Sequence, residues 1–185
     1  MDCWAGVRSP EEHLAKSKWI LETFLPWEAE RNRSSELTDV GGILTGALTP
    51  TVRHPVGRLP SGRVVLAMAD AVVLNDPITG QGSNNAAICA AIYIDAILTH
   101  GGAVFDEGWM QSTFDTYWTY AQYVTGFTNA MLPPPPPHVL KLMGAAQEYP
   151  AVARRIANGF ANPPELFPWF SVPEEAEQYL QSLTA

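Results

Sequence analysis

Apolar and polar positions follow two different rhythms along this chain. Val64 to Met68 is a short all-apolar run, β-branched at its start and bounded by turn residues, which predicts a buried strand. From Gly82 the text NNAAICAAIYIDAIL is small and apolar with polar residues gathered at its start, so a helix should open directly after the glycines. His100-Gly101-Gly102 supplies the stop, with glycine just past the helix end. Met110, Phe114, Tyr117, Ala121 and Val124 then recur at alternating spacings of four and three, predicting a helix over about Asp106 to Asn129. Trp109, Trp118, Tyr120, Tyr123 and Phe127 widen its apolar surface beyond one stripe, as expected of a helix wedged between two layers.

Upstream, Ser9-Pro10-Glu11-Glu12 is a helix start with Ser at the N-cap, Pro at the first position and Glu closing a capping box. That helix should run to Phe24 and end at Pro26, with Arg31 to Glu36 as a polar loop. Val40 to Val52 mixes glycine, threonine and aliphatic residues without helical period. One or two sheet strands are expected there, bent at Gly41, Gly42 and Gly46. His54-Pro55 to Pro60-Ser61-Gly62 reads as turn chemistry. Downstream, Pro133 to Pro137 reads as a stiff polyproline II connector. Helices follow near His138–Gln147 and Pro150–Asn158, and a last one opened by a second capping box at Ser171-Val172-Pro173-Glu174. Asn162-Pro163-Pro164 and Phe167-Pro168-Trp169-Phe170 should form tight, aromatic-anchored corners. The class is therefore α/β to α+β, mostly helical, with a few strands followed by a helical tail.

Composition narrows the partners more than the fold. A chain of 185 residues suits one domain, or one domain with a helical appendage. Acids outnumber bases 19 to 11 and no basic stripe occurs, which argues against nucleic acid and anionic membrane as partners. Cys3 and Cys89 form no metal or redox motif, and Cys89 should pack as a small hydrophobe. The four histidines lack ligand spacing, so no metal site is expected. Without a leader-like start or a membrane-length apolar run, a cytoplasmic setting is the expectation.

The chemistry concentrates between Gly62 and Asn85. Asp70 follows the predicted strand, at the edge where open α/β sheets bind ligands, and starts the pattern D-x6-P-x2-G-x-G-x-N through Pro77, Gly80, Gly82 and Asn84. An acid there accepts hydrogen bonds from ribose or ribityl hydroxyls. Gly80 and Gly82 let the backbone approach a flat ligand, and the helix start brings free N–H donors and partial positive charge. Asn84 and Asn85 add amides at the first turn. The set suits a flat cofactor with carbonyl edges and a polyol tail, better FAD than ATP. Gly80-Gln81-Gly82-Ser83-Asn84-Asn85 lacks the third glycine of a dinucleotide finger, and neither a P-loop nor a G-x-S-x-G elbow occurs.

Asp70, Pro77, Gly80, Gly82 and Asn84 match the second flavin-binding motif of FAD-dependent aromatic monooxygenases. LTPTVRHPVGRLPSG and LNDPITGQGSNNA resemble more particularly the styrene/indole monooxygenase group, a similarity extending into the LPPPPPH linker and helical tail. The resemblance implies the C-terminal part of a two-domain flavoprotein fold: residues 1–60 ending a substrate domain, 61–100 the FAD-binding strand, loop and helix, and 101–185 a helical region. It implies that Asp70, Pro77, Gly80, Gln81, Gly82, Ser83, Asn84 and Asn85 bind FAD, reduced by a separate flavin reductase. A flavin C4a-hydroperoxide would then pass oxygen to a small apolar alkene or aromatic, with no catalytic side chain required. A homodimer is compatible with this picture. The N-terminal glycine finger for the ADP half does not occur in this sequence, so the chain alone is expected to be an incomplete, inactive part of a longer enzyme. Ala69 stands where the group usually has glycine, at an expected small cost, and Val73 stands where histidine is common. Two other readings remain open: a truncated relative serving as a non-catalytic interaction module, and an FAD-linked reductase.

Overall fold

The computed structural model describes residues 3–39, 41–44, 46 and 48–183. The chain divides into two compact units, residues 1–47 and 48–185.

In the first unit the capping box forms as the sequence predicts. Ser9 Oγ accepts from the Glu12 N–H at 3.2 Å, and the Glu12 carboxylate accepts from the Ser9 N–H at 3.3 Å, opening α1 (Pro10–Phe24). Pro26 does end α1, but it also starts a second helix, α2 (Pro26–Arg31), so Arg31 closes a helix where the polar loop was expected to begin. Proline at a first helical position lacks only an N–H that would have no partner anyway. Neither helix holds a fully buried residue. The strands expected over Val40–Val52 reduce to Thr51–Val52. Among the described residues before it no strand occurs, while positions 40, 45 and 47 lie outside the description. Asp39 explains the difference at its start. Its carboxylate accepts from the Gly41 N–H at 2.6 Å and its carbonyl from the Gly42 N–H at 3.1 Å, so a turn consumes the backbone donors.

The second unit opens with four short strands in two antiparallel pairs. β1 (Thr51–Val52) pairs with β4 (Val73–Leu74), and β2 (Val56–Arg58) pairs with β3 (Val64–Leu66). The stretch read as turn chemistry therefore contains a strand, and only Leu59–Gly62 turns, with the Gly62 N–H donating to the Leu59 carbonyl at 2.9 Å. The predicted buried strand over Val64–Met68 is a three-residue hairpin arm, half-buried, with Val65 42% exposed. An all-apolar run carries no alternation, so it could not reveal that one face meets solvent. No parallel strand pair occurs among the described residues, which places the unit on the α+β side of the expected class.

The helices carry the core. α3 (Gly82–Thr99) begins and ends where predicted, and α4 (Glu107–Ala130) is N-capped by Asp106, whose carboxylate accepts from the Trp109 N–H at 2.8 Å. Val72, Val73, Cys89, Tyr93, Phe114, Tyr117 and Ala121 form one buried cluster. Phe127, from the far end of α4, belongs to a second cluster with Val139, Leu142, Leu166, Trp169, Phe170 and Ala176. Instead of a wedge between two layers, α4 serves two cores in succession along its length. Helices α5 (Pro137–Glu148), α6 (Pro150–Ala161) and α7 (Pro173–Ser182) complete the tail. Pro137 belongs to α5, so the connector is one proline shorter than read. The second capping box does not form: Val172 is the N-cap and the Ser171 hydroxyl donates back to the Pro168 carbonyl at 3.2 Å.

Candidate functional site

Asp70 does not sit at the end of a strand. It lies in a one-turn 3₁₀ segment, Ala69–Ala71, beyond β3, and that turn packs on α3. Its side chain is exposed and makes no hydrogen bond among the described residues. Its carbonyl accepts from Arg53 Nη1 at 3.2 Å, while the Arg53 N–H donates to the Val72 carbonyl at 2.8 Å, so one arginine grips the turn twice. Ala69 has φ 51°, alone among the described non-glycine residues in the left-handed region. The small cost expected of alanine there is corrected by this geometry: the methyl sits in a conformation that favours glycine by about 1 kcal/mol.

Downstream, Pro77–Thr79 forms a second 3₁₀ turn. Asp76 caps it, accepting from the Ile78 N–H at 2.9 Å, so of the two neighbouring acids only Asp76 is committed locally. Gly80 closes the turn at φ 63°, a position that requires glycine's freedom. Gly82 starts α3 with no side-chain cap on its N–H groups, which leaves that positive end open. Pro77, Gly80, Ser83 and Asn84 are exposed, and Gly82 is half-buried with open space where a Cβ would stand.

Gln81 and Asn85 are different. Each is 2% exposed, and each has a side-chain oxygen without a hydrogen-bond partner. Gln81 Nε2 donates to the Phe160 carbonyl at 2.7 Å, and Thr79 Oγ1 lies 2.8 Å from Thr128 Oγ1. These two contacts anchor the loop to α6 and α4 respectively. Buried polar atoms are nearly always paired, so unpartnered oxygens beside an uncapped helix start fit a polar, donor-bearing ligand edge. Asp70, the Pro77–Asn85 loop and the α3 start thus offer an exposed acceptor, open N–H donors and two unpartnered buried oxygens.

Beneath the loop lie Cys89, Tyr93 and Tyr117. Burial pushes the Cys89 thiol and both phenols above their ordinary ranges. The Tyr93 hydroxyl donates to the Ala67 carbonyl at 3.0 Å, but the fully buried Tyr117 hydroxyl has no partner. After burial and the nearby Cys89, the hydrogen-bonding influence of the Asn85 side chain pulls this phenol back down, while the Asp70 charge raises it further. The helical spacing marks Tyr117 as a core ring, correctly for the ring. Nothing in that spacing could reveal the state of its hydroxyl. Among the described residues no cluster of three metal-ligating side chains occurs, and no helix is long and apolar enough to cross a membrane.

Comparison with known proteins gives the class first: the chain is similar to monooxygenases of styrene type. Residues 1–31 match the family described as styrene monooxygenase A putative substrate binding domain. More particularly, the chain is similar to styrene monooxygenase StyA of Pseudomonas sp, 27% identical over 139 residues, and to styrene monooxygenase StyA of Pseudomonas fluorescens, 26% identical over 140 residues. Each match covers 74% of this chain and 33% of the relative, so the chain spans about a third of their length. The resemblance read from the motif is thereby supported, and the match over residues 1–31 lies outside the motif.

Proposed function

We propose that this chain carries the ribityl- and ring-binding part of an FAD-dependent monooxygenase of styrene type, acting on a small apolar or aromatic substrate. The observation that carries the reading is the uncapped start of α3 beside Gln81 and Asn85, two buried amides with unpartnered oxygens. Asp70, with its free carboxylate, accepts ribityl hydroxyls. Backbone donors at Gly82, Ser83 and Asn84 hold the electron-rich edge of the ring, where helix-end charge stabilises a reduced, anionic flavin. Pro77 and Gly80 shape the approach, and Thr79 and Gln81 fix the loop against the tail. When bound, the flavin supplies the oxygen chemistry; the chain's own residues bind, orient and shield it from water. In this reading residues 1–60 end the substrate-binding domain, 61–100 hold the cofactor, and 101–185 brace it. A flavin reductase is the proposed source of reduced cofactor. The ADP half of the cofactor calls for a further binding element, a glycine finger that residues 1–185 do not supply.

Titration of FAD and riboflavin fluorescence with the chain tests the proposal. Weak, saturable quenching is expected, and Asp70→Ala should weaken binding about tenfold or more, the scale of a lost charge-assisted hydrogen bond. Asp70→Asn, which keeps one acceptor, should fall between. Equal binding by all three proteins would overturn the assignment of Asp70.

A second reading has one observation in its favour. Ile94, Ile97 and Leu98 of α3 are 56%, 50% and 77% exposed, an apolar face suited to a protein partner. If the chain is only an interaction module, Asp70→Ala leaves its function intact.

A further inference from the structure

The last turns of α4 and α6 each lend a polar atom to the site loop. Along α4, Thr113, Thr116 and Thr119 return their hydroxyls to carbonyls of their own helix, at 2.9, 3.0 and 2.7 Å. Thr128 instead places its Oγ1 2.8 Å from Oγ1 of Thr79, and the pair is sealed, Thr128 0% and Thr79 5% exposed. On α6 the Phe160 carbonyl lies in the last turn, where a helix leaves its carbonyls unpaired. The residues three and four further along are Pro163 and Pro164, and proline has no N–H to give. Gln81 Nε2 fills that place, donating to the carbonyl at 2.7 Å. The two anchors also touch each other. The Phe127 and Phe160 rings stand edge to face at 5.5 Å, and Phe127 belongs to the second core cluster.

Thr79 and Gln81 flank Gly80, which closes the 3₁₀ turn at φ 63°, and Gly82 then opens α3. A buried hydroxyl and a buried amide therefore fix the chain on both sides of its most permissive residue. We infer that Thr128 is a positioning residue for the α3 site: with the Phe160 carbonyl it latches the loop at Thr79 and Gln81, and so sets where the open α3 N–H groups face. A turn closed by glycine has alternative backbone states, and each buried bond disfavours those that leave its partner unpaired. The tail thus acts on the ligand without touching it. By linkage, a ligand held at those N–H groups stabilises the latch in return. The effect on ligand binding rests on the flavin reading above; the latch itself does not.

Hydrogen exchange and riboflavin titration of the full chain test the inference. Thr128→Val keeps the shape of the side chain and deletes the hydroxyl, whereas Thr128→Ser keeps the hydroxyl. In the ligand-free chain the N–H groups of Ile78, Gly80 and Asn85 donate to Asp76, Pro77 and Gln81. Thr128→Val should speed their exchange about fivefold or more while amides in the middle of α3 keep their rates, and Thr128→Ser should restore them. Riboflavin affinity should fall about fivefold in Thr128→Val and stay near the unmodified value in Thr128→Ser. Thr79→Val removes the same bond from the loop side and decides the question if Thr128→Val does not fold. The double variant should lose no more than either single one. Exchange that rises everywhere or nowhere, unchanged affinity in the valine variants, or additive losses would each overturn the inference. If the unmodified chain binds no riboflavin, the flavin reading fails and the positioning role with it, while the exchange rates still decide the latch.

Discussion

The left-handed backbone at Ala69 is a local strain with a direct functional address, since the next residue is Asp70. An L-residue in that region costs about 1–2 kcal/mol, of which glycine would return only part, because its greater freedom in the unfolded chain offsets the rest. Ala69→Gly should therefore stabilise the fold by about 0.5–1 kcal/mol, measured as a raised denaturant midpoint with an unchanged slope; destabilisation would mean that the methyl packs usefully. Arg53 offsets the strain by holding the turn from both sides, through its guanidinium on Asp70 and its N–H on Val72. The order of site residues from Asp70 to Asn85 was legible in the sequence because acid, proline and glycine each have a backbone meaning. Which side chains are buried was not. Gln81 and Asn85 read like their exposed neighbours Ser83 and Asn84, and only packing against α4 and the tail separates them.

At the level of elements, helices were legible wherever a cap and a period agreed, as at Ser9 and along Met110 to Val124. The strands were not, because pairs of two and three residues are too short for alternation and their partners lie across turns. The failed second capping box shows the same limit: Ser171 turns back to Pro168 because the aromatic corner before α7 is already fixed by buried Trp169 and Phe170. That corner abuts α6, where Gly159 leaves room for Leu166. A Cβ on Gly159 would stand 2.5 Å from Leu166 Cγ, which belongs to a side chain only 1% exposed and cannot swing aside. Alanine gains about 1 kcal/mol of helix propensity. Overpacking in a dense core costs about 1–3 kcal/mol. Gly159→Ala should thus be destabilising despite the better helix former, lowering the melting temperature by a few degrees. A raised melting temperature would show that the α6 corner is loosely packed. Because Gln81 Nε2 donates to the carbonyl of the neighbouring Phe160, the same substitution should also loosen the loop.

Across the whole molecule, the response of the described residues to alkali centres on the cluster under the candidate site, with the half-buried Tyr120 of α4 also pushed up by burial. Cys89, Tyr93 and Tyr117 all have their protonated forms favoured by burial, their first and largest influence. A raised folded-state pKa means that the folded chain retains protons which the unfolded chain has released. On the alkaline side these groups therefore favour unfolding, because it releases their protons: the folded state must hold them at a growing cost as pH climbs above the unfolded values, about 8.5 for cysteine and 10 for tyrosine. Stability is fully present below those values and falls above them. Each group contributes a slope of up to about 1.4 kcal/mol per pH unit within its window. Denaturant midpoints followed from pH 7 to 11 should be flat at first, dip once Cys89 titrates in the unfolded chain, and fall steeply above about pH 10. Cys89→Ala should remove the first dip, and Tyr93→Phe should reduce the later slope by about a third to a half. An alkaline profile that matches the unmodified chain in both variants would mean the cluster opens to water before it titrates. The rings under the Asp70 turn would then be a mobile floor instead of the rigid one on which the site depends.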